Sequence, residues 1–251
     1  MKRKFIILCA VVCFSLKLPG IASAEEPRLT YLTEDAPPCN YLENGEIKGI
    51  GVEMLKAIWK RLGYQPQKIQ MMTWPKAYQA ALVQPNTVLF GTARLESREH
   101  LFKWVGPIFL KNFVLFAPKQ SQLRAVDFED MNKLRIGTTR DDAAEQELVR
   151  RGVRLDRMVR VQGVKEQLEL LETNKVDAIA RDEMTVLSYM DKHGLKKETV
   201  KKVKSISSAS LWYAFSKDVP DKVVKEFQSS LNELKKDGTV SRLMKDYGVE
   251  F

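Results

Sequence analysis

Two arginines lie in a segment that could bind an anion. Arg94 and Arg98 follow the apolar run Val88–Phe90, a candidate strand that ends at Gly91. Open α/β folds bind ligands beyond the carboxyl ends of their strands. A guanidinium presents planar donors that pair with both oxygens of a carboxylate. The segment therefore predicts a carboxylate site at the edge of a sheet.

The sequence offers little else for catalysis or metal binding. His100 and His193 are far apart in the chain, and neither has a neighbouring Cys or His, so no zinc-ligand spacing exists. Cys39 follows Pro38 without a paired base in sequence reach. We find no glycine-rich phosphate loop, nucleophile elbow or dinucleotide fingerprint. Hydrolase and transferase chemistry therefore lack support, and we expect no metal or cofactor.

The charge balance argues against a nucleic-acid partner. Arginines cluster in residues 150–160 and lysines in residues 192–204. Residues 118–208 nevertheless contain 19 basic and 16 acidic side chains, a net charge of only +3. Neither half of the chain has the excess of positive charge that a polyanion binder needs. The clusters are read as solvated surface.

The first 24 residues have the pattern of a secretory signal peptide. Three basic residues precede the apolar run Phe5–Leu16, and the small residues Ala22–Ala24 follow it. Removing residues 1–24 lowers the net charge from +9 to +5 and leaves Cys39 as the one cysteine, so no intramolecular disulfide is possible. Glu25 rather than a cysteine follows, which argues against a lipid anchor. We expect a soluble periplasmic monomer.

Short apolar runs alternate with helical patterns along the rest of the chain. This alternation is typical of α/β units with largely parallel sheets, and the number of strands favours two lobes. Candidate strands are Leu29–Thr33, Ile69–Met72, Val88–Phe90, Phe113–Ala117, Leu134–Ile136, Met158–Val161, Ala178–Ala180 and Leu211–Phe215. A turn is predicted at Glu43–Gly45, and the clearest helices are Val52–Leu62, Ala143–Arg151, Lys165–Thr173, Glu183–His193 and Asp221–Asp237.

The arginine segment resembles the signature of the family 3 extracellular solute-binding proteins, the periplasmic amino-acid receptors of ABC importers. Gly91, Arg98, Trp104 and Pro107 occupy the signature positions. The likeness covers essentially the whole mature chain. It includes Pro37-Pro38 with Tyr41, Gly49–Glu53, the Trp74–Tyr78 segment, Phe102–Pro107, Val176–Asp182 and the junction Gly238-Thr239.

The resemblance implies an α/β, two-lobed periplasmic-binding-protein-like fold of type II, with a hinge of two crossing strands. We expect one lobe from residues 25–115 plus 209–251 and the other from residues 116–208. The crossings are placed at Phe113–Ala117 and Ser207–Leu211.

The resemblance also implies a ligand site between the lobes. Arg98 would pair with an α-carboxylate, and Asp182 would accept from an α-ammonium. Trp74 would form an aromatic wall. The remaining expected ligand-binding residues are Gly91 and Ala93 through backbone groups, Arg94 as an added charge, and Thr139, Arg140, Asp141 and Asp142 in the second lobe.

Several positions depart from the family pattern, which leaves the ligand open. Ala36 stands where an aromatic commonly stacks on the ligand, and Ala93 replaces a threonine that helps hold the carboxylate. Thr33 replaces an aspartate of the opening strand, and Asp141-Asp142 replaces Gly or Ser/Thr.

Simpler roles are open for the same side chains. Arg98 could form a surface ion pair with a nearby glutamate. Asp182 and the pair Asp141-Asp142 could cap helices, and Trp74 could be a core residue.

Three functions are compatible with these residues. The first is a receptor that hands a small polar solute, an amino acid or related carboxylate, to an ABC permease. The second is an enzyme on this fold, similar to the cyclohexadienyl dehydratases, with Asp141, Asp142, Glu183 or His100 as general acid. The third is a sensor whose closure is read by a membrane signalling protein.

Overall fold

The computed structural model describes residues 26–124 and 127–249. The predicted signal peptide lies outside these ranges. Eleven strands are described: β1 Thr30–Thr33, β2 Tyr41–Glu43, β3 Glu46–Lys48, β4 Ile69–Met71, β5 Thr87–Ala93, β6 Lys103–Val105, β7 Leu110–Pro118, β8 Ile136–Thr139, β9 Met158–Val161, β10 Ala178–Asp182 and β11 Val200–Phe215. Seven α-helices are described with them: α1 Ile50–Leu62, α2 Trp74–Val83, α3 Ala143–Arg150, α4 Val164–Glu172, α5 Glu183–Lys192, α6 Asp221–Lys236 and α7 Thr239–Asp246.

Local signals set the ends of several helices. Gly63 ends α1 in the left-handed region with φ of 74°, which a glycine adopts without the strain that a Cβ would add. Asp182 begins α5 by accepting a hydrogen bond of 2.8 Å from the Thr185 backbone N–H. The five predicted helices are confirmed to within two residues at each end.

Helix α2 was not predicted from the sequence, whereas the hairpin turn was. Helix α2 begins at Trp74 with Pro75 in its first turn, where a missing N–H does no harm. The predicted turn at Glu43–Gly45 is confirmed as the tip of the β2–β3 hairpin, in which Asn44 and Gly45 both have positive φ.

The chain forms two lobes that share two long strands. In the first lobe β1 pairs in parallel with β4 and β5. In the second lobe β8 pairs in parallel with β9 and β10. Strands β7 and β11 pair antiparallel to each other and connect the two groups, so the strand order is β4-β1-β5-β11-β7-β10-β8-β9, and β6 pairs with β11 outside this order. The prediction of largely parallel sheets holds within each lobe and is wrong for the connecting strands.

Strand β11 changes partner between Ser210 and Leu211. Val200–Ser210 pairs with β7, and Leu211–Phe215 pairs with β5. Strand β7 in turn pairs with β10 of the second lobe. The two predicted crossings lie inside these longer strands, and the residue boundaries of the lobes stay a prediction.

An aromatic cluster stabilises the first lobe where α6 covers the sheet. Phe227 of α6 is fully buried and meets Phe215 edge to face, with the ring centroids 5.2 Å apart. Tyr64 packs on its other side, at 6.0 Å. No helix in the described ranges is long and apolar enough to cross a membrane.

Truncating Phe227 tests this core. We expect Phe227→Ala to lower the free energy of unfolding by about 3–5 kcal/mol, because a large buried aromatic leaves a cavity that its neighbours fill only in part. Urea unfolding followed by circular dichroism measures the change. Ser229→Ala, on the exposed face of the same helix, should stay within about 0.5 kcal/mol of the wild type. Equal effects of the two changes would contradict the packing described here.

Candidate functional site

Strand ends from both lobes meet in a cleft. Glu34 follows β1, Gly91 and Ala93 end β5, and Arg181 and Asp182 end β10. About 30 Å³ is left open between them, room for only one or two water molecules. The lobes are therefore closed on each other in this structure. The residues that line the space are Glu34, Trp74, Gly91, Ala93, Arg98, Lys111, Phe113, Asp142, Ala143, Arg181, Asp182 and Leu211.

Arg98 is a buried cation that has no carboxylate partner among the described residues. It lies in a short 3₁₀ turn, Glu96–Leu101, and is only 1% exposed. Its two terminal nitrogens donate to backbone oxygens, to Ala93 at 3.2 Å and to Asp141 at 2.9 Å. Its Nε has no hydrogen-bond partner, and no carboxylate of the described residues lies within 4 Å. No direct ion pair among the described residues therefore neutralises the guanidinium, and Asp142 and Glu34 act on it only from a longer distance.

Two aromatic rings surround the same guanidinium. Its central carbon lies 5.2 Å from the ring centroid of Trp74 and 5.1 Å from that of Tyr78. The two rings stack on each other with centroids 5.6 Å apart. Cation–π attraction favours this arrangement, while burial lowers the pKa of Arg98. Trp74 is both a core residue and a wall of the cleft.

The Asp141 carbonyl joins the two lobes. Its oxygen accepts hydrogen bonds from Arg98 and from Trp74 Nε1, the latter at 3.0 Å, both in the first lobe. Asp141 has a φ of 60°, which aspartate tolerates better than most residues. Its carboxylate pairs with Arg160 at 2.9 Å, away from the cleft. The backbone of Asp141, rather than its charge, faces the first lobe.

Arg181 forms the second contact between the lobes. Its Nη2 lies 2.7 Å from Glu34 Oε2 in the first lobe. Its Nη1 donates to Thr139 Oγ1 at 2.7 Å and to Asp142 Oδ2 at 3.3 Å. Burial opposes the charged form of Arg181, but the neighbouring carboxylates outweigh it and raise its pKa. This side chain lines the cleft.

Asp182 has a cation of the chain itself as its partner. Lys111 Nζ lies 2.9 Å from Asp182 Oδ1 and donates to Thr185 Oγ1 at 2.8 Å. Both charged side chains are 5% exposed. Burial would raise the pKa of Asp182, but Lys111 and Arg181 outweigh it, so the pKa is lowered. Asp182 is thus a helix cap and a member of a buried ion pair.

Asp142 is a buried carboxyl group with a raised pKa. It caps α3 by accepting from the Glu145 N–H at 2.8 Å. Burial raises its pKa to about 7, although Arg181 acts in the opposite direction. The group is poised to exchange a proton near neutral pH.

The remaining residues expected at the site lie away from the open space. Arg94 pairs with Glu99 and covers the ring of Trp212 at 4.4 Å. Arg140 is exposed. Thr139 Oγ1 accepts a hydrogen bond from Arg181 but does not line the open space. The alternative of a surface ion pair applies to Arg94 and is wrong for the buried Arg98.

Sequence reasoning missed three charged residues of the cleft. Glu34, Lys111 and Arg181 were not among the expected ligand-binding side chains. Two of them carried a signal, since Arg181 follows the apolar run of β10, and Lys111 stands two residues before the run predicted as a crossing strand. A charge in a buried strand needs a partner, but the sequence did not say which.

Comparison with known proteins gives a consistent result. The model of the bacterial extracellular solute-binding proteins, family 3, matches residues 29–250. No curated protein matches the sequence.

Three similar solved structures share the fold. A mutant of ArgBP from T. maritima has 23% identity, with 89% of this chain and 96% of that chain covered and a TM-score of 0.76. A histidine kinase sensor domain with similarity to periplasmic binding proteins has 20% identity, coverage of 88% and 96%, and a TM-score of 0.79. The arginine-, lysine-, histidine-binding protein ArtJ from Geobacillus stearothermophilus has 15% identity, coverage of 87% and 94%, and a TM-score of 0.75.

The raised pKa of Asp142 predicts a pH dependence of stability. The folded state keeps this proton up to about pH 7, whereas the unfolded chain loses it near pH 4. The folded state binds more protons between these values, so this contribution to the free energy of unfolding falls as the pH rises. Asp142→Asn keeps a cap at α3 and removes the titration.

Urea unfolding of both proteins from pH 4 to pH 8 measures the effect. The free energy of unfolding of the wild type, minus that of Asp142→Asn, should fall by a few kcal/mol between pH 4 and pH 7. The other titrating groups are common to both proteins and cancel in the difference. A difference that does not vary with pH would show that Asp142 is ionised throughout.

Proposed function

Since the chain belongs to family 3 of the bacterial extracellular solute-binding proteins, we propose that it captures a small polar solute with a carboxylate group between its lobes. The solute is an amino acid or a related carboxylate. The site of capture is the periplasm, and the recipient is an ABC permease in the inner membrane.

One observation carries the proposal: the buried Arg98 lacks a counter-ion. Burying a charge is unfavourable unless it is paired and hydrogen-bonded. The chain supplies Arg98 with two carbonyl oxygens and two aromatic rings, but with no carboxylate among the residues that the structure describes. A carboxylate of the solute would complete this site, because a guanidinium fork pairs with both of its oxygens.

Closure of the lobes is part of the proposed mechanism. The space in the closed cleft is too small for an amino acid, so the solute must enter while the lobes are apart. Strands β7 and β11 are the connection about which they would move. With solute bound the lobes would close less far than in this structure, because the contacts of Arg98 and Trp74 with the Asp141 carbonyl leave no room for it. A solute that binds the closed state better shifts the protein toward closure.

The similar proteins support a small-molecule ligand and leave its identity open. Their printed names include arginine-binding and arginine-, lysine-, histidine-binding proteins. At 15–23% identity these likenesses concern the fold. We therefore propose the carboxylate class from Arg98 alone.

A sensor function is the second candidate, because a histidine kinase sensor domain has the same fold. Deleting the gene distinguishes the two roles. Loss of solute uptake supports the importer. Intact uptake with a lost transcriptional response to the solute supports the sensor.

An enzyme on this fold remains a third candidate through Asp142. Of the four acids considered as a proton donor, it alone lines the cleft, and its pKa of about 7 suits a general acid. Incubating the protein with the ring acid that cyclohexadienyl dehydratases use, and following release of carbon dioxide, tests this. Turnover that is lost in Asp142→Asn would favour the enzyme.

The carboxylate role of Arg98 can be tested with matched variants. Arg98→Lys keeps a charge but loses the planar fork, so the free energy of binding a carboxylate should weaken by about 1.5–3 kcal/mol, the contribution of one hydrogen bond to a charged group. Arg94→Lys changes a half-buried guanidinium that is already paired with Glu99, and it should alter affinity by no more than about 1 kcal/mol. Thermal shifts with a panel of amino acids and small organic acids find the solute, and calorimetry measures its affinity.

Two results would contradict the proposal. One is binding by Arg98→Lys within twofold of the wild type. The other is a folded wild type that no member of the panel stabilises, although a ligand at 100 times its dissociation constant adds about 2.7 kcal/mol. Circular dichroism confirms that each variant is folded.

A further inference from the structure

The charged groups that line the cleft are unequally partnered. Three are cations, Arg98, Lys111 and Arg181, and three are carboxyl groups, Glu34, Asp142 and Asp182. Each carboxyl group lies against a cation of the chain: Glu34 and Asp142 against Arg181, and Asp182 against Lys111. Among these six groups Arg98 alone has no ion pair. The cleft therefore has a place for an added anion and none for an added cation.

Lys111 reaches Asp182 because of the register between the strands. Phe113 of β7 pairs with Asp182 at the end of β10. Lys111 is two residues before Phe113, so its side chain leaves the same face of β7 and extends past the end of β10. The strand buries Lys111 and leaves its neighbour Leu110 58% exposed. This inversion of the usual pattern places an ammonium group inside the cleft.

The Lys111 ammonium has one more N–H group than its contacts with Asp182 and Thr185 use. Of its three N–H groups, one is directed at Asp182 and one at Thr185. The third is available to an acceptor in the cavity that Lys111 lines. Together with Arg98 it would place two cationic donors around a bound anion.

We infer that the solute is a small organic acid without an amino group, because the Lys111 ammonium already neutralises Asp182. This deepens the proposed function and rests on it. An α-ammonium would have to compete with Lys111 for Asp182, whose charge is further balanced by Arg181 Nε at 3.7 Å. Displacing Lys111 would leave a buried lysine without its counter-ion, which is strongly unfavourable. A carboxylate, by contrast, meets Arg98 without breaking any pair.

The test compares solutes that share a carbon skeleton and differ in the α-amino group. Suitable pairs are propionate with alanine, succinate with aspartate, and glutarate with glutamate, with lactate as a hydroxy acid. We expect the wild type to bind an acid without an amino group at least tenfold more tightly than its amino-acid counterpart, measured by calorimetry at pH 7.

Lys111→Met should reverse this preference, because it leaves Asp182 free to accept an ammonium. The matched control is Lys119→Met, an exposed lysine just beyond the same strand, which should leave both affinities unchanged. If Lys111→Met is not folded, the double variant Lys111→Met/Asp182→Asn removes both charges of the pair. It should lose at least tenfold in affinity for the organic acid and gain no amino-acid binding.

The outcomes separate this inference from the proposed function. If the wild type binds an amino acid through Arg98 as tightly as the acid with the same carbon skeleton and no amino group, the inference is wrong. The proposed carboxylate receptor is not contradicted by that result. The inference is also wrong if folded Lys111→Met keeps the preference of the wild type for acids without an amino group. If the wild type binds neither the amino acids nor the acids without an amino group, the proposed receptor function itself is wrong.

Discussion

The burial of charge where the two lobes meet is the constraint on which the site depends. A cation removed from water needs an anion or several oxygens around it. The cleft meets this need for Arg181 and Lys111 with carboxylates of the chain, and for Arg98 only with carbonyl oxygens and rings. The difference between these environments separates side chains that hold the structure together from the one that still needs a partner.

The connecting strands supply both the hinge and part of the chemistry. Strands β7 and β11 belong to the hydrogen bonding of both lobes, so they can transmit a movement of one lobe to the other. Because β7 also positions Lys111, a residue of the hinge itself takes part in the charge balance of the cleft. Solute chemistry and closure are therefore connected through one element.

Contacts within the chain already favour closure. The ion pair of Glu34 with Arg181 joins the lobes, as do the hydrogen bonds that the Asp141 carbonyl accepts. A buried pair gains Coulomb energy but loses hydration, so its net contribution can be small. Such a balance suits a receptor, because the lobes must open for the solute to enter and close again around it.

The sequence by itself determined the local features of this protein. Alternating apolar runs predicted the strands, and Gly63 and Asp182 carried the signals of a helix end and a helix start, because these depend on neighbours a few residues away. The segment from Gly91 to Pro107 selected Arg98, and together with the other matching segments along the chain it indicated, through the resemblance, the two-lobed fold.

Only the tertiary structure decided which charges meet. Glu34 and Arg181 are 147 residues apart, and Lys111 and Thr185 are 74 apart. Periodicity tells which residues of an element share a face, but not what that face meets. Hence the sequence could not tell that Arg94 would find Glu99 while Arg98 would be buried without a counter-ion. Nor could it tell that Lys111 rather than Leu110 would point inward, since that follows from the register of strands brought together by the hinge.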